Sequence, residues 1–391
     1  MKHTSTQRSR KAAQGREGEV STRTQQKRYE VILLGVDTHG SQYTFARKLD
    51  NQGCQPPQEL TPEKFLEFLQ RQIAIANRVV MVYEAGPYGF ALYRQATELG
   101  AQCLVCAPER LGRGRKRVND KIDSTELLSR LDRQLAGNNT ALRLVHPPTI
   151  EQEMRRRQSR ERDVYRKERQ RWIGRGRSLL HSLGLMKPGK WWDLKIRTNV
   201  LDWVHRRYGQ VVHDQIRVEL DHYLELLQEM EKKLAELTAA ICRKPAEKTK
   251  GKAKHPKAKR IKGIGVLSSE LLDREIVDWN RFANRRQVAS YTGLCPGEAS
   301  SGESQMSLSI DKHGNPRVRR VLTELGWLLP RFQPDYIRLK RWKWVFEERN
   351  KAGRAMRKKA VVALARQLAV DLWRLKTGRT TLEKLGLKLA A

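Results

Sequence analysis

Four carboxylates and a pair of serines carry the chemistry this sequence can support. Asp37, Glu84, Asp120 and Asp123 lie in the first third of the chain, and Ser300 and Ser301 lie far downstream. Asp37 closes the apolar run Val31-Ile32-Leu33-Leu34-Gly35-Val36, and Glu84 closes Val79-Val80-Met81-Val82-Tyr83. Short β-branched runs of this kind read as buried strands, which puts both acids at strand ends. Asp120 and Asp123 stand three apart, just ahead of Leu127, Leu128 and Leu131, so both occupy one face at the start of a helix. Two strand ends and a helix start can converge on one point. Carboxylates gathered there repel one another unless a cation holds them, and oxygen ligands suit Mg²⁺ or Mn²⁺. Two such ions, about 3.5–4 Å apart, can stabilise both the attacking and the leaving oxygen of a phosphodiester. Singly, each acid has a plainer explanation as a turn former or as a first-turn helix acid favoured by the dipole. The order Asp, Glu, Asp-x-x-Asp on a βββαβα pattern is more specific.

The elements that must position these groups follow from the surrounding sequence. Residues 30–148 read as a mixed α/β domain. Ser41 to Leu49 alternates as a hairpin partner to the first strand, and Thr61-Pro62-Glu63 opens a helix with an N-cap, an N1 proline and an early acid. That helix carries Phe65, Leu66, Phe68, Leu69 and Ile73 inward. A second helix over Tyr88 to Leu99 stops at Gly100, and Ala101 to Ala107 is the next strand. Arg113, Arg115, Lys116 and Arg117 then form a glycine-loosened basic loop just before the paired aspartates, well placed to hold phosphates.

From about residue 149 to 242 the pattern becomes helical. Glu151 to Arg177 is strongly basic, and a short aromatic segment with Trp191, Trp192 and Trp203 follows. Leu220, Tyr223, Leu227, Met230, Leu234, Leu237 and Ile241 keep the alternating spacing of a coiled-coil seam. Such a seam buries either in a hairpin with the preceding basic helix or in a dimer, and both remain open. Residues 243–260 are Lys-rich and of low complexity, a flexible linker ahead of a last domain over 261–391. There Ile261-Lys262-Gly263-Ile264-Gly265 has the form of a hairpin whose backbone amides can approach phosphate. Downstream, Gly293-Leu294-Cys295-Pro296, Ser300-Ser301-Gly302 and Lys312-His313-Gly314-Asn315 gather hydroxyls and basic groups in one loop-rich stretch.

The composition points to a polyanionic partner. The 391 residues carry 78 Lys and Arg against 43 Asp and Glu, a formal charge of +35 with pI near 10.4. No apolar run reaches the roughly 18 residues a membrane span needs. Residues 1–29 are basic and polar without an apolar core, which predicts a disordered arm rather than a signal peptide. Five scattered cysteines do not make a disulfide framework, and Cys103-Leu104-Val105-Cys106 reads as buried strand thiols rather than zinc ligands. A cytoplasmic, nucleoid-associated nucleic-acid protein is the expectation.

At these residues the chain resembles the DEDD transposases of the insertion sequence 110 family, from about Val31 to Val145 and from Ile261 to about Leu329. The series Asp37, Glu84, Asp120-x-x-Asp123 is similar to that family's RuvC-like acidic tetrad. Gly263-Ile264-Gly265, Gly293-Leu294-x-Pro296, Ser301-Gly302 and Lys312-x-Gly314-Asn315-x-x-x-Arg319 are similar to its C-terminal transposase domain. The resemblance implies an α/β plus α architecture: an RNase H-like (RuvC-like) mixed-sheet domain, central coiled-coil helices and a mostly helical C-terminal domain. It selects Ser301 over Ser300 as the nucleophile of a covalent phosphoseryl-DNA intermediate, activated with Mg²⁺ or Mn²⁺ held by the tetrad. It also implies a structured noncoding (bridge) guide RNA, donor and target DNA as partners, and dimers that pair into tetramers. Lys312, Arg317, Arg319 and Arg320, with the basic loop, are the expected nucleic-acid contacts. Thr38-His39-Gly40 departs from the family pattern, standing where relatives often have a small residue followed by Lys. Two further readings stand beside this one: a RuvC-like nuclease or Holliday-junction resolvase that uses water, and a basic architectural protein without chemistry.

Overall fold

The computed structural model describes residues 28–108, 119–243, 260–301, 304–347 and 352–390. The basic loop with Arg113, Arg115, Lys116 and Arg117, almost all of the N-terminal arm and most of the Lys-rich linker lie outside the described residues. The chain divides into two compact units, residues 1–147 and 148–391.

The first unit is built on a mixed sheet. Strand β1 (Tyr29–Thr38) pairs antiparallel with β2 (Tyr43–Leu49), which pairs antiparallel with β3 (Gln55–Leu60). Helix α1 (Pro62–Ile75) is capped by Thr61, whose hydroxyl accepts from Lys64 N, and it buries Phe65, Phe68 and Leu69. It leads to β4 (Ala76–Glu84), which lies parallel to β1. Helix α2 (Ala91–Glu98) starts three residues later than the sequence pattern suggests and runs to β5 (Gln102–Cys106), parallel to β4. Helix α3 (Asp120–Leu135) and the short β6 (Leu144–Val145), which the sequence reading did not anticipate, complete the order β3-β2-β1-β4-β5-β6.

Two cores sandwich this sheet. Ile32, Leu34, Val36, Met81 and Tyr83 meet Phe45, Phe65 and Phe68 on the α1 face, and Leu33, Val80 and Val82 meet Leu127, Leu128 and Leu131 of α3 on the other. Cys103 and Cys106 are buried free thiols, and burial pushes the Cys103 thiol up to about 12. Gly35 decides how closely α3 approaches. A Cβ there would stand 2.4 Å from Leu128 N and 2.4 Å from Ser124 O, both backbone atoms that cannot swing aside. Gly35→Ala should therefore destabilise the protein by roughly 1–3 kcal/mol, the usual cost of overpacking. It should also lift the first turn of α3, with Asp120, away from β1. An unchanged thermal midpoint would show that α3 is not held this way.

The second unit is mainly helical. Helix α4 (Ile150–Ser182) begins with a complete capping box between Thr149 and Gln152. Helix α5 (Leu194–Cys242) breaks at Gly209, whose positive φ of 82° is non-helical. The two pack together along the seam predicted from sequence: Leu220, Leu227 and Ile241 are buried, Trp172 meets Tyr223 at 5.6 Å, and Arg169 pairs with Glu231 at 2.8 Å. The intramolecular hairpin is thus present. Trp191, fully buried, donates from its indole to Ile173 O at 3.0 Å and locks the turn between the helices.

Beyond the linker come α6 (Val266–Ile276), α7 (Arg285–Thr292), a hairpin of β7 (Pro296–Ser301) and β8 (Ser304–Ile310), α8 (Pro316–Phe332), α9 (Lys343–Glu347), α10 (Arg354–Lys376) and α11 (Leu382–Leu385). Helices α8 and α10 centre the core through Val321, Leu322, Leu325, Leu364 and Leu368. At the glycine-containing turn before α6, Lys262 N donates to Lys388 O and Ile264 N to Ile261 O. These two amides are satisfied within the chain, so they do not supply the phosphate contacts read from the sequence. No described helix is long and apolar enough to cross a membrane.

Candidate catalytic centre

Asp37 and Glu84 end adjacent parallel strands. The register Val36↔Tyr83 sets them side by side, and alternation along each strand turns both to the α3 face, with Leu33 and Val80. Open sheets bind ligands beyond the carboxyl ends of such strands. Helix α3 brings its first turn to the same edge, because Asn119 caps it through Lys121 N and Gly35 lets it lie close on β1.

Three side chains meet there. His39 Nε2 is 3.4 Å from Asp37 Oδ2 and 3.4 Å from Asp120 Oδ2, and the three ligand atoms lie within 4.8 Å of one another. The loop that presents His39 is closed by its own amide, which donates to Gln42 O at 3.0 Å. Burial lifts the Asp37 carboxyl above its ordinary range. The His39 ring opposes that rise, while Asp120 and Asp123 add to it. Asp123, half-buried one helical turn from Asp120, thus acts on the cluster as a neighbouring charge, and Glu84 flanks it from β4. Opposite Asp37 on β2, Thr44 is fully buried, and its hydroxyl has no hydrogen-bond partner among the described residues.

The donor set of two carboxylate oxygens and one imidazole nitrogen suits a divalent cation, and Asp37 is raised by burial first and then by the neighbouring charges of Asp120 and Asp123. Sequence reasoning missed His39. The available signal was its place two residues past a strand-end acid, but its reach to Asp120 depends on the loop after β1.

The serines sit in the second unit, on the β7–β8 hairpin, where Ser301 pairs with Ser304 and Ser300 with Gln305. The base of the hairpin is tightly built. Gly293 caps α7 in the left-handed conformation (φ 63°), and a Cβ on Gly314 would stand 2.3 Å from Gly293 N and from Tyr291 O. Only two glycines can stack backbone to backbone in this way. Asp311 N donates to Cys295 O, Lys312 N to Gly293 O and Asn315 N to Tyr291 O. Arg319 spends its guanidinium here, donating to Thr292 O at 3.1 Å and Lys312 O at 3.2 Å. Arg320 pairs with Asp163 of α4 at 2.8 Å, and Arg317 stands 3.9 Å from the same carboxylate. Lys312 is exposed, with a left-handed backbone (φ 61°).

Known proteins are similar to this chain over much of its length. Residues 256–340, which contain the hairpin, match the family model described as Transposase IS116/IS110/IS902 family. A protein of Sinorhizobium fredii (strain NBRC 101917 / NGR234), named provisionally as transposase y4rJ, is 32% identical over 338 residues, covering 80% of this chain and 81% of its own. The transposase for insertion sequence element IS1533 of Leptospira borgpetersenii is 26% identical over 284 residues, covering 69% of this chain and 75% of its own. The transposase for insertion sequence element IS1328 of Yersinia enterocolitica is 23% identical over 321 residues, 81% of this chain and 89% of its own. With identity at this level across four fifths of both chains, the chain belongs to the IS116/IS110/IS902 family of transposases.

Proposed function

We propose that this transposase cuts and rejoins DNA with Ser301 as nucleophile and a divalent cation held by the acidic cluster, guided by a structured noncoding RNA. The observation that carries the reading is the convergence of Asp37, His39 and Asp120 at the carboxyl end of the central strands, flanked by Glu84 and Asp123. The sheet order β3-β2-β1-β4-β5-β6, with β1, β4 and β5 parallel and β2, β3 and β6 in antiparallel pairings, supports an RNase H-like (RuvC-like) reading of this unit. Carboxylate oxygens favour Mg²⁺ or Mn²⁺, and the imidazole of His39 tilts the preference toward Mn²⁺. When bound, the cation supplies Lewis-acid stabilisation of charge on the phosphoryl oxygens.

The protein's own groups do the rest. Ser301 Oγ gives up its proton and bonds to phosphorus, the bond from phosphorus to a deoxyribose oxygen breaks, and that oxygen takes a proton. The phosphoseryl diester keeps the bond energy that hydrolysis would lose, so attack by a new deoxyribose hydroxyl restores the strand and frees the serine. The acidic cluster and the serine hairpin belong to different units of the chain. A net charge of +35 supports RNA as a partner besides donor and target DNA. A homodimer pairing into a tetramer is the assembly this chemistry would work in. The test is a denaturing, protease-free gel of end-labelled donor DNA after reaction. Label migrating with the protein supports serine chemistry, and label only in free cut fragments counts against it.

A further inference from the structure

Glu275, in the last turn of α6, is a buried carboxylate, 2% exposed. Its two oxygens accept from Arg160 Nε and Nη2 of α4, both at 3.2 Å, and from Asn315 Nδ2 at 3.0 Å. Its backbone carbonyl accepts from the Tyr291 hydroxyl at 2.8 Å, and that hydroxyl in turn accepts from Asn315 Nδ2 at 3.2 Å. Burial alone would raise this carboxyl. The hydrogen bonds from Arg160 and Asn315 and the charges of Arg160 and Arg156 outweigh it and hold the group below its ordinary range.

The partners are distributed in a telling way. Tyr291 lies in the last turn of α7, before β7, and Asn315 caps α8, after β8. Glu275 therefore reaches both roots of the hairpin that carries Ser300 and Ser301: its carboxylate holds Asn315 and Arg160 of α4, and its backbone carbonyl on α6 accepts from Tyr291. Replacing such a pair with apolar residues usually costs a fold little, so its presence asks for a role beyond stability. A hairpin that must present one hydroxyl to a phosphorus atom needs its orientation fixed to a fraction of an ångström.

We propose that Glu275, through Tyr291 and Asn315, is a positioning residue that sets the serine hairpin for attack. This inference rests on the serine chemistry proposed above.

Two full-length variants test it. Tyr291→Phe keeps the ring against Phe282 and Arg281 and removes only the hydroxyl. Glu275→Gln keeps shape and removes the charge. At saturating DNA, Tyr291→Phe should slow formation of the covalent protein–DNA adduct about tenfold, the size of one lost buried hydrogen bond. Glu275→Gln should slow it further. DNA affinity should stay within about twofold, since neither group is placed to touch DNA. Hydrogen exchange supplies the reading that a general loss of stability would not give: amides of residues 294–311 should exchange faster, with those of α8 and α10 unchanged. If Tyr291→Phe forms adduct at the wild-type rate, or its exchange rises evenly through α8 and α10, the positioning role is overturned. If the wild-type protein itself forms no adduct, the serine reading fails first and takes this inference with it.

Discussion

Asp37→Asn should abolish strand cleavage and yet leave the cation-free protein more stable than wild type. The folded-state carboxyl of Asp37 is raised above its ordinary value by burial first, then by Asp120 and Asp123, with His39 only partly offsetting them. A group whose folded pKa is raised as an acid binds its proton more tightly in the native state than in the unfolded one. Its contribution is most favourable below the ordinary carboxylate value and is lost as pH rises through the folded value. At neutral pH wild type carries that cost, and an isosteric amide removes it. Thermal melts in chelator should thus show the variant above wild type at pH 7 and the gap closing toward pH 4. Adding Mn²⁺ should raise the wild-type midpoint and leave the variant's unmoved, because binding to the native state alone stabilises it. Cleavage should drop on the order of a thousandfold, the scale of several kcal/mol of lost charge stabilisation. Asp120→Ala, Asp123→Ala and Glu84→Ala should lose cleavage too, with nucleic-acid affinity retained because Lys and Arg make the phosphate contacts. A variant that melts below wild type and still cuts at its rate would show that this cluster holds no cation.

The same site shows what was legible in the sequence. Strand ends and a helix start are local events, set by apolar runs, caps and breakers, and Asp37, Glu84, Asp120 and Asp123 sit where those signals put them. Their approach was inferable because Gly35 is the only residue of its strand run without a Cβ, on the face that α3 covers. His39 was not legible, since its reach depends on a turn closed by Gln42 and on a helix some eighty residues later. The partners of the arginines within the chain were not legible for a related reason. Arg319 and Arg320 look like phosphate contacts in a basic string, but their partners are carbonyls across the hairpin root and Asp163 on α4. Long-range pairing leaves no periodic trace. The seam on α5 did leave one, but the sequence left open whether α4 or a second copy covers it, and the break at Gly209 lay hidden inside an otherwise helical pattern.

Ser301→Ala should remove both the covalent adduct and the recombined product while RNA and DNA binding persist. In the proposed chemistry that hydroxyl is the attacking atom, and alanine leaves the hairpin backbone free to pair as before, with position 301 opposite Ser304. The contrast with a resolvase is complete in direction: there a water attacks at the acidic cluster of the first unit, so the substitution in the second unit leaves cutting intact. Ser300→Ala is the internal control. In the proposed chemistry its hydroxyl only supports the loop, and the control should lose activity at most partially. The decisive measurement is single-turnover cleavage of labelled donor DNA, resolved on denaturing gels with and without protease, for wild type and both variants. If Ser300→Ala is dead and Ser301→Ala active, the covalent mechanism stands with the assignment moved by one residue. If both variants cut at the wild-type rate without adduct, water is the nucleophile, and the acidic cluster works as a nuclease centre that needs no serine.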